Sequence, residues 1–311
     1  MRTLIYCFCV LFAVDLHGQI SVVTPKLLTT IGKTTESRFL GAQALGFCPD
    51  GSLVVSDKLA YKVMKFDRKG RRIAETGKRG TGAGEFRGPA WISAYGDVIA
   101  VADFATPRVH LFSAGLQYQK TIVVPGAILD IQFDSRGDLW AALLQPQSKD
   151  NLVRVSIDGT IRQTIGLEAV SQNVLENAFY FSFTPNNEIV IAYYFRNIIE
   201  LWSHDGSFIK SLQVSGFPST VRSKRISDQL SVPEDNVFYG VVVDKQGMIF
   251  VLAGEYSHSP RRDVFGVDRA GNLISLAVLP EPSSLIEIGP DNRLYSIERN
   301  RTQVSVYRME P

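Results

Sequence analysis

A series of hairpin turns recurs along most of this chain and limits the folds that it can adopt. The central residues of these turns are Gly51, Gly96, Gly137, Asn187, Gly247 and Asn292, at spacings of 45, 41, 50, 60 and 45 residues. A second series, at Gly70, Gly115, Gly159, Gly206 and Gly271, places one further turn inside each of the first five intervals. Glycine and asparagine are favoured there because tight hairpins need positive φ angles. Two hairpins per interval make a four-stranded unit, and such units repeated about every 40–50 residues indicate a β-propeller.

The number of turns also predicts how the ring closes. The first series has one turn more than the second, so the last unit, which ends in the strand 303–308, lacks its outer strand. The N-terminal segment Leu27–Gly32 has the same pattern as the outer strand Ile161–Gly166 of the third unit. Pairing this segment with the last unit would leave no long sheet edge open. We therefore predict an all-β, six-bladed propeller of four-stranded antiparallel blades, with the N-terminal strand closing the last blade.

One stretch carries a motif that resembles the NHL repeat. It reads Gly77-x-x-Gly80-x-Gly82-x-Gly84-Glu85-Phe86-x-x-Pro89, followed by Val101-Ala102-Asp103 and Arg108-Val109-x-Leu111-Phe112. A weaker copy in the preceding unit includes Val55-Ser56-Asp57, whereas the later units keep the turns and lose most of the motif. The resemblance implies an NHL-repeat-like six-bladed propeller of the secreted bacterial type. We expect Asp57 and Asp103 to be structural acceptors that tie strand ends together.

The first 18 residues predict a secretory signal peptide, which leaves residues 19–311 as a single propeller domain. Arg2 precedes an uncharged, largely apolar run from Thr3 to Val14, and Gly18 is a small residue at a suitable cleavage point. A run of about 12 residues is shorter than the roughly 20 needed to span a bilayer. We therefore expect a secreted or periplasmic protein with no membrane span. After cleavage Cys48 is the last cysteine left, so we expect a buried thiol and no disulfide within the chain.

The net charge of the chain argues against two classes of partner. With 45% hydrophobic and 21% charged residues, the composition is typical of a folded protein, and the formal net charge is +2. So small a charge gives no support for binding to nucleic acid or to an acidic membrane. We expect a monomer whose ligand is a protein, a peptide or a glycan.

The long loops are predicted to lie on the face opposite the tight turns. In a four-stranded meander both hairpin turns share one face, and the other connections share the opposite face. That second face collects the long segments 144–151, 166–178, 214–236 and 254–262. Loops on a rigid scaffold commonly carry recognition, and aromatic and arginine side chains suit an anionic or sugar-like ligand or a peptide. The candidate ligand-binding residues there are Tyr194, Arg196, Arg222, Arg225, Tyr256, His258, Arg261 and Arg262.

Two functions remain open from the sequence. We favour a secreted binding propeller that has no catalytic residues and no cofactor. The alternative is a divalent-cation-dependent hydrolase or lyase, similar to the calcium-dependent lactonases, with its site in the central channel. Asp130, Glu176 and Asp235 would then be the calcium ligands, because hard cations prefer oxygen. Asp and Asn near strand starts are also ordinary turn residues.

Overall fold

The structure is a computed structural model that describes residues 20–310, except for 36, 105, 145–149, 220–221, 227–230 and 256–258. The predicted signal peptide, residues 1–18, lies outside the described residues, and so do Tyr256 and His258. In the part of the chain that the structure describes, no helix is long and apolar enough to cross a bilayer.

Six four-stranded antiparallel blades surround a central channel, as the repeat predicts. Blade one comprises β2 (Ala42–Phe47), β3 (Leu53–Asp57), β4 (Lys62–Phe66) and β5 (Arg72–Thr76), and blade two comprises β6 (Pro89–Tyr95), β7 (Val98–Asp103), β8 (Arg108–Ser113) and β9 (Tyr118–Val123). Blade three comprises β10 (Ala127–Phe133), β11 (Leu139–Leu144), β12 (Asp150–Val155) and β13 (Ile161–Gly166), and blade four comprises β14 (Phe179–Phe183), β15 (Ile189–Tyr193), β16 (Ile199–Trp202) and β17 (Phe208–Leu212). Blade five comprises β20 (Phe238–Val243), β21 (Ile249–Ala253), β22 (Asp263–Val267) and β23 (Leu273–Val278), and blade six contains β24 (Ser283–Ile288), β25 (Leu294–Glu298) and β26 (Val304–Glu310).

The N-terminal strand β1 (Ser21–Ile31) completes blade six, which confirms the predicted closure. Residues from Thr24 to Ile31 pair antiparallel with β26. The strand begins earlier than predicted, and its first residues, Ser21 to Val23, pair in parallel with β23 of blade five. Blades five and six are therefore joined into one eight-stranded sheet, in the order β20-β21-β22-β23-β1-β26-β25-β24.

The apolar core lies between neighbouring blades. Val54 of blade one packs in one cluster with Ile92 and Val101 of blade two. Strand β3 is buried along its whole length, whereas most of the outer strand β5 is exposed. Burial therefore falls from the second strand of the blade to its outer strand.

The predicted turn residues mostly adopt the left-handed conformation, with one exception in blade two. Gly51, Asn187 and Asn292 all have positive φ angles. In the second hairpin of blade two the residue with positive φ (60°) is Leu116, not Gly115. The Leu116 side chain is buried in the cluster that includes Phe112, so its burial offsets the steric cost of this backbone conformation.

Asp57 and Asp103 bind backbone amides at the ends of their strands, as predicted. The carboxylate of Asp57 accepts hydrogen bonds from the amides of Leu40 (2.7 Å) and Gly41 (2.9 Å). Asp103 accepts equivalent bonds from the amides of Arg87 (3.0 Å) and Gly88 (2.7 Å). Each carboxylate thus ties the end of the second strand to the segment that leads into its own blade.

Candidate functional site

Every inner strand begins on the face that carries the long loops, which we call the long-loop face. β-Bulges at the starts of two of these strands change the direction of a single side chain in each. The pairing of β2 with β3 shifts register between Ala42 and Ala44, and that of β20 with β21 shifts between Phe238 and Gly240. The extra residues at these bulges are Gln43 and Tyr239. A bulge commonly re-aims a side chain, and both of these side chains bind an arginine from a loop on the same face.

Arg261 is fixed at this face by a ring and a carboxylate. It precedes β22 and has a left-handed backbone (φ 60°). Its guanidinium lies 3.8 Å from the centre of the Tyr239 ring and donates from Nε to Glu255 Oε1 over 3.0 Å. The Tyr239 hydroxyl also donates to Glu255 Oε1 (2.9 Å). Burial, together with the Glu255 charge, raises the pKa of Tyr239 to about 12, so the phenol stays neutral at physiological pH.

Arg301 is a second arginine with a left-handed backbone (φ 60°), in the loop between β25 and β26. It is half-buried and donates to the side chain of Gln43 in blade one. No carboxylate among the described residues forms an ion pair with it. Burial and the nearby charge of Arg261 lower the pKa of Arg301, against the opposing influence of Tyr180. The guanidinium charge therefore lacks a matching anion in this part of the chain.

Lys58 and two stacked tyrosines lie on the same face as Arg261 and Arg301. Lys58 Nζ lies 3.6 Å from the centre of the Phe104 ring, and burial followed by the Arg301 charge lowers its pKa. Tyr180 and Tyr194 stack with ring centres 4.0 Å apart and an interplanar angle of 29°. We call Lys58, Tyr194, Tyr239, Arg261 and Arg301 the channel mouth. It combines three cationic groups with aromatic faces, a set that suits a planar anion such as a carboxylate.

The structure separates the predicted ligand-binding residues into groups. Tyr194 and Arg261 belong to the channel mouth. Arg196 and Arg222 instead pair with Glu176 and Asp235, respectively. Arg262 donates to the carbonyl of Leu279 (2.6 Å) and so ties the end of its own blade.

A short two-stranded hairpin occupies the long segment between blades four and five. It consists of β18 (Ser223–Arg225) and β19 (Ser231–Pro233), and it carries the predicted residue Arg225 in an exposed position. A 3₁₀ turn, Val174–Asn177, lies beside it, and Asn173 donates to the carbonyl of Ser231 (2.9 Å).

The three carboxylates of the alternative calcium site do not form one cluster. Among the described residues, no three His, Cys, Asp or Glu side chains are grouped so that they could hold a metal ion. Burial acts to raise the pKa of Glu176, but the hydrogen bonds from Arg196, Ser171 and Asn173 and the Arg196 charge together outweigh it, and the pKa is lowered. Asp235 likewise lies against Arg222, whereas Asp130 faces the channel.

Sequence reasoning missed Arg301, Tyr180, Tyr239 and Lys58. Tyr180 and Tyr239 lie in inner strands, and Lys58 and Arg301 lie in short connections, where no loop of unusual length marks them. The positive φ of Arg301 is a property of the folded backbone, and the sequence carries no residue pattern that predicts it. Residues in sparsely populated backbone regions cluster at functional sites.

Comparisons with known proteins agree on the architecture. The sequence profile of a family described as a 6-bladed beta-propeller matches residues 33–251. No curated protein matches the chain significantly. The virginiamycin B lyase of Staphylococcus aureus has a similar structure, with a TM-score of 0.60 and 12% identity over 91% of this chain and 87% of that chain. Hydrazine synthase of Kuenenia stuttgartiensis is also similar, with a TM-score of 0.59 and 14% identity over 86% of this chain and 83% of that chain. At such identities the likeness shows the fold alone.

Proposed function

Because this chain belongs to the family of 6-bladed β-propellers, we propose that it is a binding protein that recognises an anionic group of a protein, peptide or glycan at the channel mouth. The observation that carries the proposal is Arg301, a half-buried guanidinium that pairs with no carboxylate in the described residues. Hydrogen bonds between guanidinium and carboxylate groups are among the strongest that proteins make.

The mouth is organised for binding before any ligand arrives. Glu255 and Tyr239 hold Arg261 on one side, and Gln43 holds Arg301 on the other. Holding side chains in their bound conformation lowers the entropy lost on association. Tyr194 offers a flat surface beside them, because its ring is already stacked on Tyr180. A ligand with a carboxylate next to a ring or a sugar would satisfy all these groups.

The test uses the full chain on arrays of peptides and of acidic and neutral glycans. Arg261→Asn and Arg301→Asn remove the charge, and asparagine tolerates the left-handed backbone at both positions. We expect binding of carboxylate-bearing ligands to weaken by roughly ten- to a hundredfold, as for loss of a charged hydrogen bond.

The matched controls are Lys69→Asn and Arg136→Asn, which lie at exposed turns on the opposite face. They should bind as the unaltered protein does. Equal binding of neutral and acidic ligands, or unchanged binding by both mouth variants, would contradict the proposal.

We propose binding over calcium-dependent hydrolysis because Glu176 and Asp235 already lie against arginines. Calcium titration should then leave the melting temperature unchanged. A stoichiometric calcium ion whose chelation abolishes a hydrolytic activity would favour the alternative. We also propose that the protein acts as a secreted or periplasmic monomer, which fractionation and light scattering would test.

A further inference from the structure

The central channel contains a cavity of about 250 Å³ that is lined by all six inner strands. It reaches the last residues of several of them, including Phe47 and Val243, at the short-turn face. Tyr180 lines this cavity and also stacks on Tyr194, so it joins the cavity to the channel mouth. A cavity of this size has room for a group as large as an amino-acid side chain.

Two carboxyl groups face this cavity, Asp130 from blade three and Glu287 from blade six. β11 and β25 are the equivalent second strands of blades three and six. Asp130 pairs with the fourth residue of β11, and Glu287 pairs with the second residue of β25, so the two carboxyl-bearing residues are offset by two residues along the channel. That separation corresponds to roughly 6–7 Å along the strands. Tyr180 is the other titratable residue in the described lining of the cavity, and burial raises its pKa. The inner strands of blades one, two and five contribute no titratable side chain to that described lining.

The carboxyl of Glu287 lines the cavity without a hydrogen-bond donor among the described residues, and Glu287 is half-buried. Asp130 Oδ1 accepts the Ile131 amide (2.8 Å), whereas Glu287 accepts no hydrogen bond from the described residues. Burial, with the Asp130 charge as a smaller influence, raises the pKa of Glu287 to about 8. Burial likewise raises that of Asp130 to about 7. A carboxylate that is partly removed from water and has no partner is costly, and a cation placed between the two groups would reduce that cost.

We propose that this cavity is a binding site for an organic ammonium group, of the size of a lysine side chain or a simple alkylamine. The two carboxyls supply the anionic partners, and Ser182 and Gln132 line the same tier as Glu287. Phe47, Phe133 and Val243 give the cavity apolar walls, which suit a methylene chain better than a hydrated metal ion. This proposal rests on the proposed function, because the ligand would reach the cavity through the channel mouth. The ligand then carries an anion for the mouth and an amine for the channel.

The experiment measures binding to the full chain by calorimetry at pH 7.5. The probes are n-butylammonium chloride, 1-butanol as a neutral molecule of the same shape, acetyl-lysinamide and calcium chloride. We expect n-butylammonium to bind with one-to-one stoichiometry and 1-butanol to bind more weakly. Binding of acetyl-lysinamide as well would identify a peptide side chain as the source, and binding of n-butylammonium alone would identify a free amine.

The variants Asp130→Asn and Glu287→Gln keep the shape of each side chain and remove its charge. Either change should weaken n-butylammonium roughly ten- to a hundredfold. Asp97→Asn, at an exposed turn, is the matched control and should change nothing. Affinity should rise between pH 6 and 9 as the carboxyls ionise, with protons released on binding.

Three results would overturn the inference. The first is equal binding of 1-butanol and n-butylammonium, and the second is unchanged n-butylammonium binding in both variants. The third is calcium binding that the variants abolish, with no binding of n-butylammonium. Arg301→Asn separates this inference from the proposed function. It should reduce binding of acidic ligands at the mouth and leave n-butylammonium binding unchanged.

Discussion

Asp130 and Glu287 make the stability of the folded chain depend on pH. Their usual pKa values of 3.8 and 4.5 apply to the unfolded chain, and the folded values are about 7 and about 8. Between these limits the folded state binds more protons, so the free energy of unfolding falls as the pH rises. The contribution is complete below about pH 4 and is lost by about pH 8.

Urea unfolding at pH 5 and pH 8 measures this dependence. We expect Asp130→Asn and Glu287→Gln each to reduce the loss of stability between the two pH values, by on the order of 2 kcal/mol. Asp97→Asn should retain the whole dependence. A pH dependence that both channel variants retain would show that these carboxyls ionise normally in the fold.

We predict that Asp57, which binds backbone amides, contributes more to the stability of the fold than the channel carboxyls Asp130 and Glu287 do. Its oxygens accept the amides of Leu40, Gly41 and Ala60, the last over 2.9 Å. Asp57→Ala leaves these donors without their acceptor and should lower the free energy of unfolding by about 2–3 kcal/mol. Asp57→Asn keeps one acceptor oxygen and should cost less. Equal urea midpoints for Asp57→Ala and the control Asp97→Ala would contradict this role.

Single residues show where prediction from the sequence succeeds and where it stops. Asp57 was predictable because its role depends on local strand order, which the repeated turns reveal. Glu287 was not, because its importance comes from Asp130, which is 157 positions earlier in the chain but faces the same cavity. Arg301 was missed because the direction of its side chain depends on the backbone conformation of one residue.

Strand β1 should stabilise the fold mainly through its neighbours. Most of its own side chains are exposed, but it covers β26, in which Val304 and Val306 are buried. Deleting residues 20–32 would open the backbone of β26 and uncover apolar surface worth about 25 cal/mol per Å². We expect a loss of several kcal/mol, comparable with a domain's whole stability of roughly 5–15 kcal/mol.

A shorter deletion separates the two pairings of β1. Removing residues 20–23 abolishes only the parallel pairing with β23, so the melting temperature should fall much less than for the full deletion. A full deletion that gives a monomer with an unchanged melting temperature would refute the closure of the ring by this strand.

At the scale of the whole molecule, the outer strands should differ in their protection from hydrogen exchange. Strands β5, β9, β13 and β17 lie at the edges of their sheets, whereas β23 lies between β22 and β1. Amides without a neighbouring strand exchange more readily. Mass spectrometry should therefore show slower exchange in β23 than in β17, and the difference should vanish when residues 20–23 are deleted. Equal exchange in the full chain would contradict a stable pairing between β1 and β23.

The number of blades was predictable from the sequence, but the joining of two of them was not. Turn residues reveal hairpins because positive φ restricts the choice of amino acid. A parallel pairing of three residues, Ser21–Val23 with Ser275–Ala277, imposes no comparable restriction on side chains. It arises because β1 extends beyond its pairing with β26 and reaches the outer strand of blade five.

The eight-stranded sheet makes two neighbouring blades one stiff arc of the ring. Arg261 lies between two strands of that sheet and Arg301 between two others, so both arginines are mounted on the same arc. Among the described residues, the other blades belong to separate sheets and meet through packed side chains. Under the proposed function, a ligand that meets both arginines does so on this joined pair of blades alone, and it would be selected by the spacing of its anionic groups.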